Sequence, residues 1–266
     1  MARLIAIECH GARASIETST DDLMHAVVEH ALPLGWSPST PSADNRPFAF
    51  GRGRDGTYAV SIDGEVASRH ETLDLGVDGL RHRLLMHVLS TPRDRMYIHA
   101  GCVAVKGGAI LLPGYAGAGK TTLVAALVQA GAVYYTDDYA PLDADGRVHP
   151  YPLPLWMTDP RKGLGRPHPP EELGARIGRE PLEVSVVAEV VVGSEKWRVS
   201  SCGGSEAVLL LLRHAVNPQH QPEFALAAIR GAVAGARVLK GERGAAKEAA
   251  TALLELAAAN GGVSRQ

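Results

Sequence analysis

At 266 residues the chain has the length of one large or two small domains. Forty-five per cent of the residues are hydrophobic, enough for an ordinary core, and 27 basic against 29 acidic residues leave a net charge of −2. With no run of five like charges, this balance argues against electrostatic capture of nucleic acid or of an anionic membrane. Cys9, Cys102 and Cys202 are widely spaced and form no C-x-x-C, so neither a metal framework nor a disulfide scaffold is expected, and a reducing, cytoplasmic setting is. No apolar run approaches the roughly 18 residues of a membrane span. The opening segment Met1–Glu8 is too short for a signal-peptide core.

Residues 1–92 are expected to form a smaller α/β unit. Strand signals fall at Leu4–Cys9, Phe48–Gly51, Thr57–Ile62 and Glu65–Ser68, and Asp21–Ala31 reads as a helix capped by Thr20. Pro33–Pro47 carries four prolines and reads as a loop. Leu80, Leu84, Leu85, Val88 and Leu89 mark one face of a helix that also carries His82 and His87, both expected to be partly exposed. Thr91-Pro92 ends it and sets the boundary to a second unit, 93–266.

From Met96 the composition changes. Met96–Val105 reads as a strand, Lys106-Gly107-Gly108 as a tight turn, and Ala109–Leu112 as a second strand. A helix over Thr122–Ala130 is apolar nearly all round, hence buried, and Gly131 is placed to end it. Ala132–Thr136 follows as a buried strand. Ala140–Leu142, Asp145-Gly146 and Val148–Leu155 read as a hairpin. The Gly/Pro-rich connection around Pro167-His168-Pro169-Pro170 is the best candidate for a lid. Val184–Val192 and Trp197–Ser200 read as strands, and Ser205–Ala215, Pro222–Ala234 and Gly244–Ala259 as helices. Alternating strands and helices make this an α/β unit.

The most specific motif joins the second strand to its helix. Gly114, Tyr115, Ala116, Gly117, Ala118, Gly119, Lys120 and Thr121 read G-x-x-x-x-G-K-T, a phosphate-binding P-loop, with Thr122 continuing into the helix. Glycines in such a loop turn backbone amides toward phosphate oxygens, and the helix aims its positive end at the same anion. Lys120 is expected to reach the β- and γ-phosphates of ATP, and the Thr121 hydroxyl to help hold Mg²⁺.

Asp137-Asp138 ends the strand after that helix. Two carboxylates beside a nucleotide can divide the labour, one serving the metal, directly or through water, and the other accepting the proton of an attacking hydroxyl. Mutual repulsion is expected to raise one of the two pKa values. His99 lies in the strand before the loop strand, in Tyr97-Ile98-His99-Ala100-Gly101-Cys102.

This order of a His-bearing strand, turn, P-loop strand, P-loop, short helix and Asp-Asp strand resembles HPr kinase/phosphorylase and its bacterial relatives, whose kinase core is shared with phosphoenolpyruvate carboxykinases. The resemblance is close from Tyr97 to about Leu142 and looser over the rest of the second unit. It implies a P-loop kinase core with catalytic roles for His99, Lys120 and Asp138, Asp138 being the general base, which leaves Asp137 to serve Mg²⁺. The chain looks closer still to the HPr-kinase-like proteins of lasso and related peptide biosynthesis, through Pro150-Tyr151-Pro152-Leu153-Pro154 and His214-Ala215-Val216-Asn217-Pro218. Members of that group phosphorylate a serine of a precursor peptide.

The apolar neighbours of the phosphorolysis signature are missing around Arg161-Lys162-Gly163-Leu164-Gly165, so the resemblance gives no ground for phosphorolysis. HPr kinases form hexamers. A homo-oligomer is therefore open here, but the N-terminal 92 residues do not resemble theirs and give no ground for carrying the hexamer over. Phosphoryl transfer gains from a nearby cation, and the candidates are Arg161, Lys162, Arg166, Lys196, Arg198 and Arg213. Three readings follow from the sequence: a kinase acting on a peptide hydroxyl, a kinase acting on a small molecule such as an amino acid or sugar, and a nucleotide-binding regulator without transfer activity.

Overall fold

The computed structural model describes residues 3–32, 35–91, 94–106, 108–158, 165–193 and 195–260. The chain divides into two compact units, Met1–Asp94 and Arg95–Gln266, each mixed α/β. No described helix is long and apolar enough to cross a membrane.

The first unit is a six-stranded sheet with two helices. β1 (Arg3–Cys9) and β2 (Ala12–Thr18) form a hairpin through His10 and Gly11, both with positive φ (46° and 80°). That pairing of angles matches the right-handed twist of the two strands. α1 (Asp21–Ala26) starts at Thr20, whose hydroxyl accepts from the Leu23 amide, and passes into a π-helical turn, Val27–Ala31. β3 (Ser37–Pro38) pairs with β1 inside the segment expected to be loop. β4 (Arg46–Arg52), β5 (Tyr58–Ile62), β6 (Glu65–His70) and α2 (Leu73–Ser90, capped by Thr72) complete the unit.

The strand order is β3-β1-β2-β4-β5-β6, with only β2 and β4 parallel. Ile7, Ala14, Ile16, Phe48, Phe50 and Val60 bury one sheet face against Leu23, Val27, Val77, Leu80 and Leu84 of the helical segments. His82 is exposed as expected, but His87 is buried: its Nε2 lies 3.0 Å from the Arg13 carbonyl and its ring leans on Phe48. A satisfied ring nitrogen makes that burial tolerable.

The second unit is built on a seven-stranded sheet. β7 (Met96–Val105) and β8 (Gly108–Pro113) are antiparallel. α3 (Lys120–Gln129) follows, ended by Gly131 at φ 96°. β9 (Val133–Thr136) and β10 (Tyr139–Leu142) both run antiparallel to β7 along one edge, β9 against its end and β10 against its start. β8 and β9 are therefore parallel, joined by α3 across the intervening β7.

Beyond β10 the expected hairpin shrinks to a single bridge, Leu142 to Val148, with Val148 also bridging to Leu182 on its other side; Pro150, Pro152 and Pro154 have no amide with which to extend the ladder. β11 (Leu155–Thr158) and β12 (Gly165–His168) instead form a separate two-stranded ribbon over the stretch expected to be a lid, followed by a 3-10 turn, Pro170–Leu173. β13 (Val184–Val192) lies parallel to β8, and β14 (Arg198–Cys202) forms the far edge. α4 (Gly204–Arg213), a 3-10 turn at Pro218–His220 and α5 (Pro222–Ala234) lead to β15 (Arg237–Arg243), a strand absent from the sequence reading, which sits parallel to β13 and antiparallel to β14. α6 (Ala246–Asn260) closes the unit.

Side chains alternating along β7, β8 and β13 feed two cores. Ile98, Ala100, Cys102, Leu111 and Val187 pack with Leu210 and Leu211 of α4 and Ala228 and Ile229 of α5. Val103, Ile110, Leu112 and Val186 pack on the other face with Leu123, Val124 and Leu127 of α3 and Leu253 of α6. The sheet is thus covered on both sides, and the all-round apolar α3 is buried under α6. Burial raises the Cys102 thiol pKa well above its ordinary value, as suits a core residue rather than a nucleophile.

Candidate functional site

Between β8 and α3 the loop at residues 114–119 turns back over its own helix. Gly117 and Gly119 adopt left-handed φ angles of 82° and 83°, open to glycine at little cost. Tyr115, Ala116 and Gly117 form the exposed crest, while Gly114 is buried. Among the described residues, the amides of Ala116, Gly117 and Gly119 have no protein acceptor. Unsatisfied amides at a helix N-terminus make an anion-binding concavity.

Lys120, the first residue of α3, is buried with its ammonium inside this loop. Nζ donates to the carbonyls of Gly114 at 2.8 Å and Tyr115 at 3.2 Å, and lies 3.3 Å from His99 Nε2. Desolvation lowers its pKa, opposed by the charges of Asp138 and Asp137. The next residue, Thr121, donates its hydroxyl to Asp137 Oδ2 at 2.7 Å. Thr122 is exposed on the first turn.

The acidic pair occupies the joint between β9 and β10. There the Asp138 carbonyl accepts from the Ala100 amide of β7 at 3.0 Å. The bend at the joint turns the two carboxylates to different environments. Asp137 is 3% exposed, and its Oδ1 has no hydrogen-bond partner among the described residues. Its pKa is pushed up to about 6, first by burial and then by the charge of Asp138, against the lowering effects of the Thr121 hydroxyl, Lys120 and the Trp156 backbone. Asp138 is open, with 52% of its side chain exposed and Oδ1 3.1 Å from His99 Nε2.

His99 stands between the lysine and the acid. A single ring nitrogen cannot accept from Lys120 and donate to Asp138 at once, so the His99 tautomer decides which neighbour it serves. The ring stacks on Tyr139 at 5.6 Å, and the backbone is held on both sides: the His99 amide donates to the His214 carbonyl at 2.7 Å and its carbonyl accepts from Gly114. The structure thus brings His99, Lys120, Thr121, Asp137 and Asp138 together through β7, the start of α3 and the β9–β10 joint.

The segment from His214 to Val216 runs alongside the start of β7. His214 is buried, its Nε2 2.6 Å from Glu189 Oε1, and its ring meets Tyr115 at 4.7 Å. It therefore supports both His99 and the crest of the loop.

Besides Lys120, a second cation touches the loop, one the sequence reading passed over. Arg243, the last residue of β15, is 3% exposed and donates Nη2 to the Gly119 carbonyl at 2.8 Å. Of the residues considered instead, Lys196 and Arg198 are exposed, and Arg213 is exposed and paired with Glu189 at 3.2 Å. Arg161, Lys162 and the Arg166 side chain lie outside what the structure describes. The signal that could have found Arg243 is an isolated arginine closing an apolar strand, which by itself is weak.

Among the described residues, no cluster of three or more His, Cys, Asp or Glu side chains could hold a metal ion. No protein-family model matches the chain, and no curated protein matches it.

Proposed function

We propose that the second unit is a P-loop kinase core of the HPr kinase type, which transfers the γ-phosphate of Mg·ATP to a hydroxyl, that of a peptide serine in the first instance. The observation that carries this reading is the continuous chain Gly114–Lys120–His99–Asp138, with contacts of 2.8, 3.3 and 3.1 Å, which links an amide-lined anion loop to an open carboxylate. A loop that only bound nucleotide would need no carboxylate at the end of that chain.

The arrangement supports distinct roles. The free loop amides, the α3 N-terminus and Lys120 suit the phosphates. Thr121 Oγ1 and the unpartnered, buried Oδ1 of Asp137 are hard oxygen donors that fit Mg²⁺. A magnesium site completed by phosphate and water needs few protein ligands, in keeping with the sparse donor set. When bound, the ion would neutralise charge on the phosphate oxygens. Asp138 is the base: as the acceptor oxygen bonds to the γ-phosphorus and the bond to the β–γ bridging oxygen breaks, the hydroxyl proton passes to Asp138 and ADP leaves. His99 orients that carboxylate.

Asp138 is 52% exposed rather than enclosed. That openness suits an acceptor carried on a chain better than a small metabolite, which needs enclosure to be held. Intact-mass spectrometry with Mg·ATP, candidate precursor peptides and free serine tests the reading. A gain of about 80 Da on a peptide is expected, with the rate falling about 10²–10⁴-fold in Asp138→Asn while ATP still binds. Undiminished transfer by Asp138→Asn would sink the assignment.

A further inference from the structure

Among the described residues, Arg243 is a buried cation without a counter-ion. Its guanidinium donates Nη1 to the Gly244 carbonyl at 2.9 Å and Nη2 to the Gly119 carbonyl at 2.8 Å, while Nε has no partner among the described residues. No carboxylate lies within ion-pair distance of it among the described residues, and burial alone pulls its pKa below the ordinary arginine value. A guanidinium does not lose its proton in a protein, so the charge stays. Lys120, by contrast, has the charges of Asp137 and Asp138 nearby.

The position of this charge is telling. It sits under Gly119, the left-handed residue that caps α3, so close that a Cβ there would lie 2.4 Å from Nη2. The ten-residue α3 already directs its positive end at the same place. The Gly119 carbonyl does not need arginine as its only donor, since the Leu123 amide also reaches it at 3.1 Å. As a structural clamp, an uncompensated buried charge is a poor choice, because an apolar side chain of similar length would cost less.

We propose that Arg243 is a positioning residue for the polyphosphate: its charge, uncompensated in the free protein, is complemented when the anion enters the 114–119 loop. It acts through Gly119 and through the field at the α3 N-terminus. This rests on the phosphate-binding reading above.

Arg243→Met keeps the stem and removes the charge, and Arg243→Lys keeps the charge. Both are compared with the wild type in thermal unfolding without ligand and in binding of Mg·ATP and of inorganic tripolyphosphate. For Arg243→Met the expected result is an unfolding midpoint equal to or above that of the wild type, with affinity for both probes down about tenfold or more. Arg243→Lys is expected to recover most of that affinity. A lower midpoint for Arg243→Met with affinity unchanged would make the arginine a structural clamp and overturn the proposal. Failure of Arg243→Met to fold while Arg243→Lys folds would do the same. Wild-type protein that binds neither probe would remove the phosphate-binding reading itself, an outcome distinct from a normal wild type with an indifferent Arg243→Met.

Discussion

Asp137 and Asp138 are neighbours in the chain with opposite surroundings, and the difference is measurable. Burial raises the Asp137 pKa from 3.8 to about 6, so the folded protein holds that proton more tightly than the unfolded chain does. Stability from this group is full below pH 3.8 and is lost as pH rises through 6. The loss is on the order of 3 kcal/mol for roughly two pKa units. In magnesium-free buffer, Asp137→Asn is expected to flatten the decline in denaturation midpoint between those pH values and to be the more stable protein at pH 8. A parallel pH dependence in wild type and variant would count against the assignment. Which carboxylate is buried could not be read from the sequence, because an Asp-Asp dipeptide looks the same from either side until the strand bend turns one inward. Mutual repulsion, the cause expected from sequence, is the smaller contribution; burial is the larger. Arg243 was invisible for a related reason: it lies 124 residues from Gly119, and nothing local ties it to the loop.

At the scale of elements, the site depends on how closely α3 and the β9–β10 joint approach β7. Gly101 permits that approach. A Cβ there would lie 2.5 Å from Val124 Cγ2 of α3 and 3.4 Å from the Asp137 carbonyl. Val124 is fully buried and β-branched, so it cannot swing aside. Gly101→Ala is expected to cost about 1–3 kcal/mol by overpacking and to weaken nucleotide binding with it. Val124→Ala in the same chain should restore part of both, a coupling that a double-mutant cycle in chemical denaturation would show. The strand, loop and helix around Gly114–Thr121 were legible because apolar runs, glycines and a helical run follow one another without interruption. β2 was missed although its buried residues alternate, because Ala12 and Ala14 carry weak strand preference and the hairpin turns on His10-Gly11 rather than on the Asn-Gly or Asp-Gly pairs that signal such turns. β15 was missed because Arg237, Lys240, Glu242 and Arg243 give it the look of a surface loop. Only its place between β13 and β14 makes it a sheet strand.

For the whole molecule, the two units have separate sheets and separate cores, and every residue of the candidate site belongs to the second. A chain of residues 95–266 is therefore expected to unfold cooperatively and to bind Mg·ATP about as tightly as the full protein; calorimetry would check both. Loss of binding in a folded fragment would mean that the first unit contributes to the site. The sequence by itself determined the α/β class and the run of elements from Met96 to Leu142, because each is written in contiguous residues whose periodicity and turn chemistry act locally, and it named as candidates His99, Lys120, Thr121, Asp137 and Asp138, which the fold brings together. Only the tertiary structure decided that β9 and β10 share the edge of β7, that one carboxylate is buried and the other open, that His214 supports His99 and Tyr115, and that Arg243 lies beneath Gly119. Burial and long-range pairing are properties of strands brought together from distant parts of the chain, and they arise only when the sheet closes.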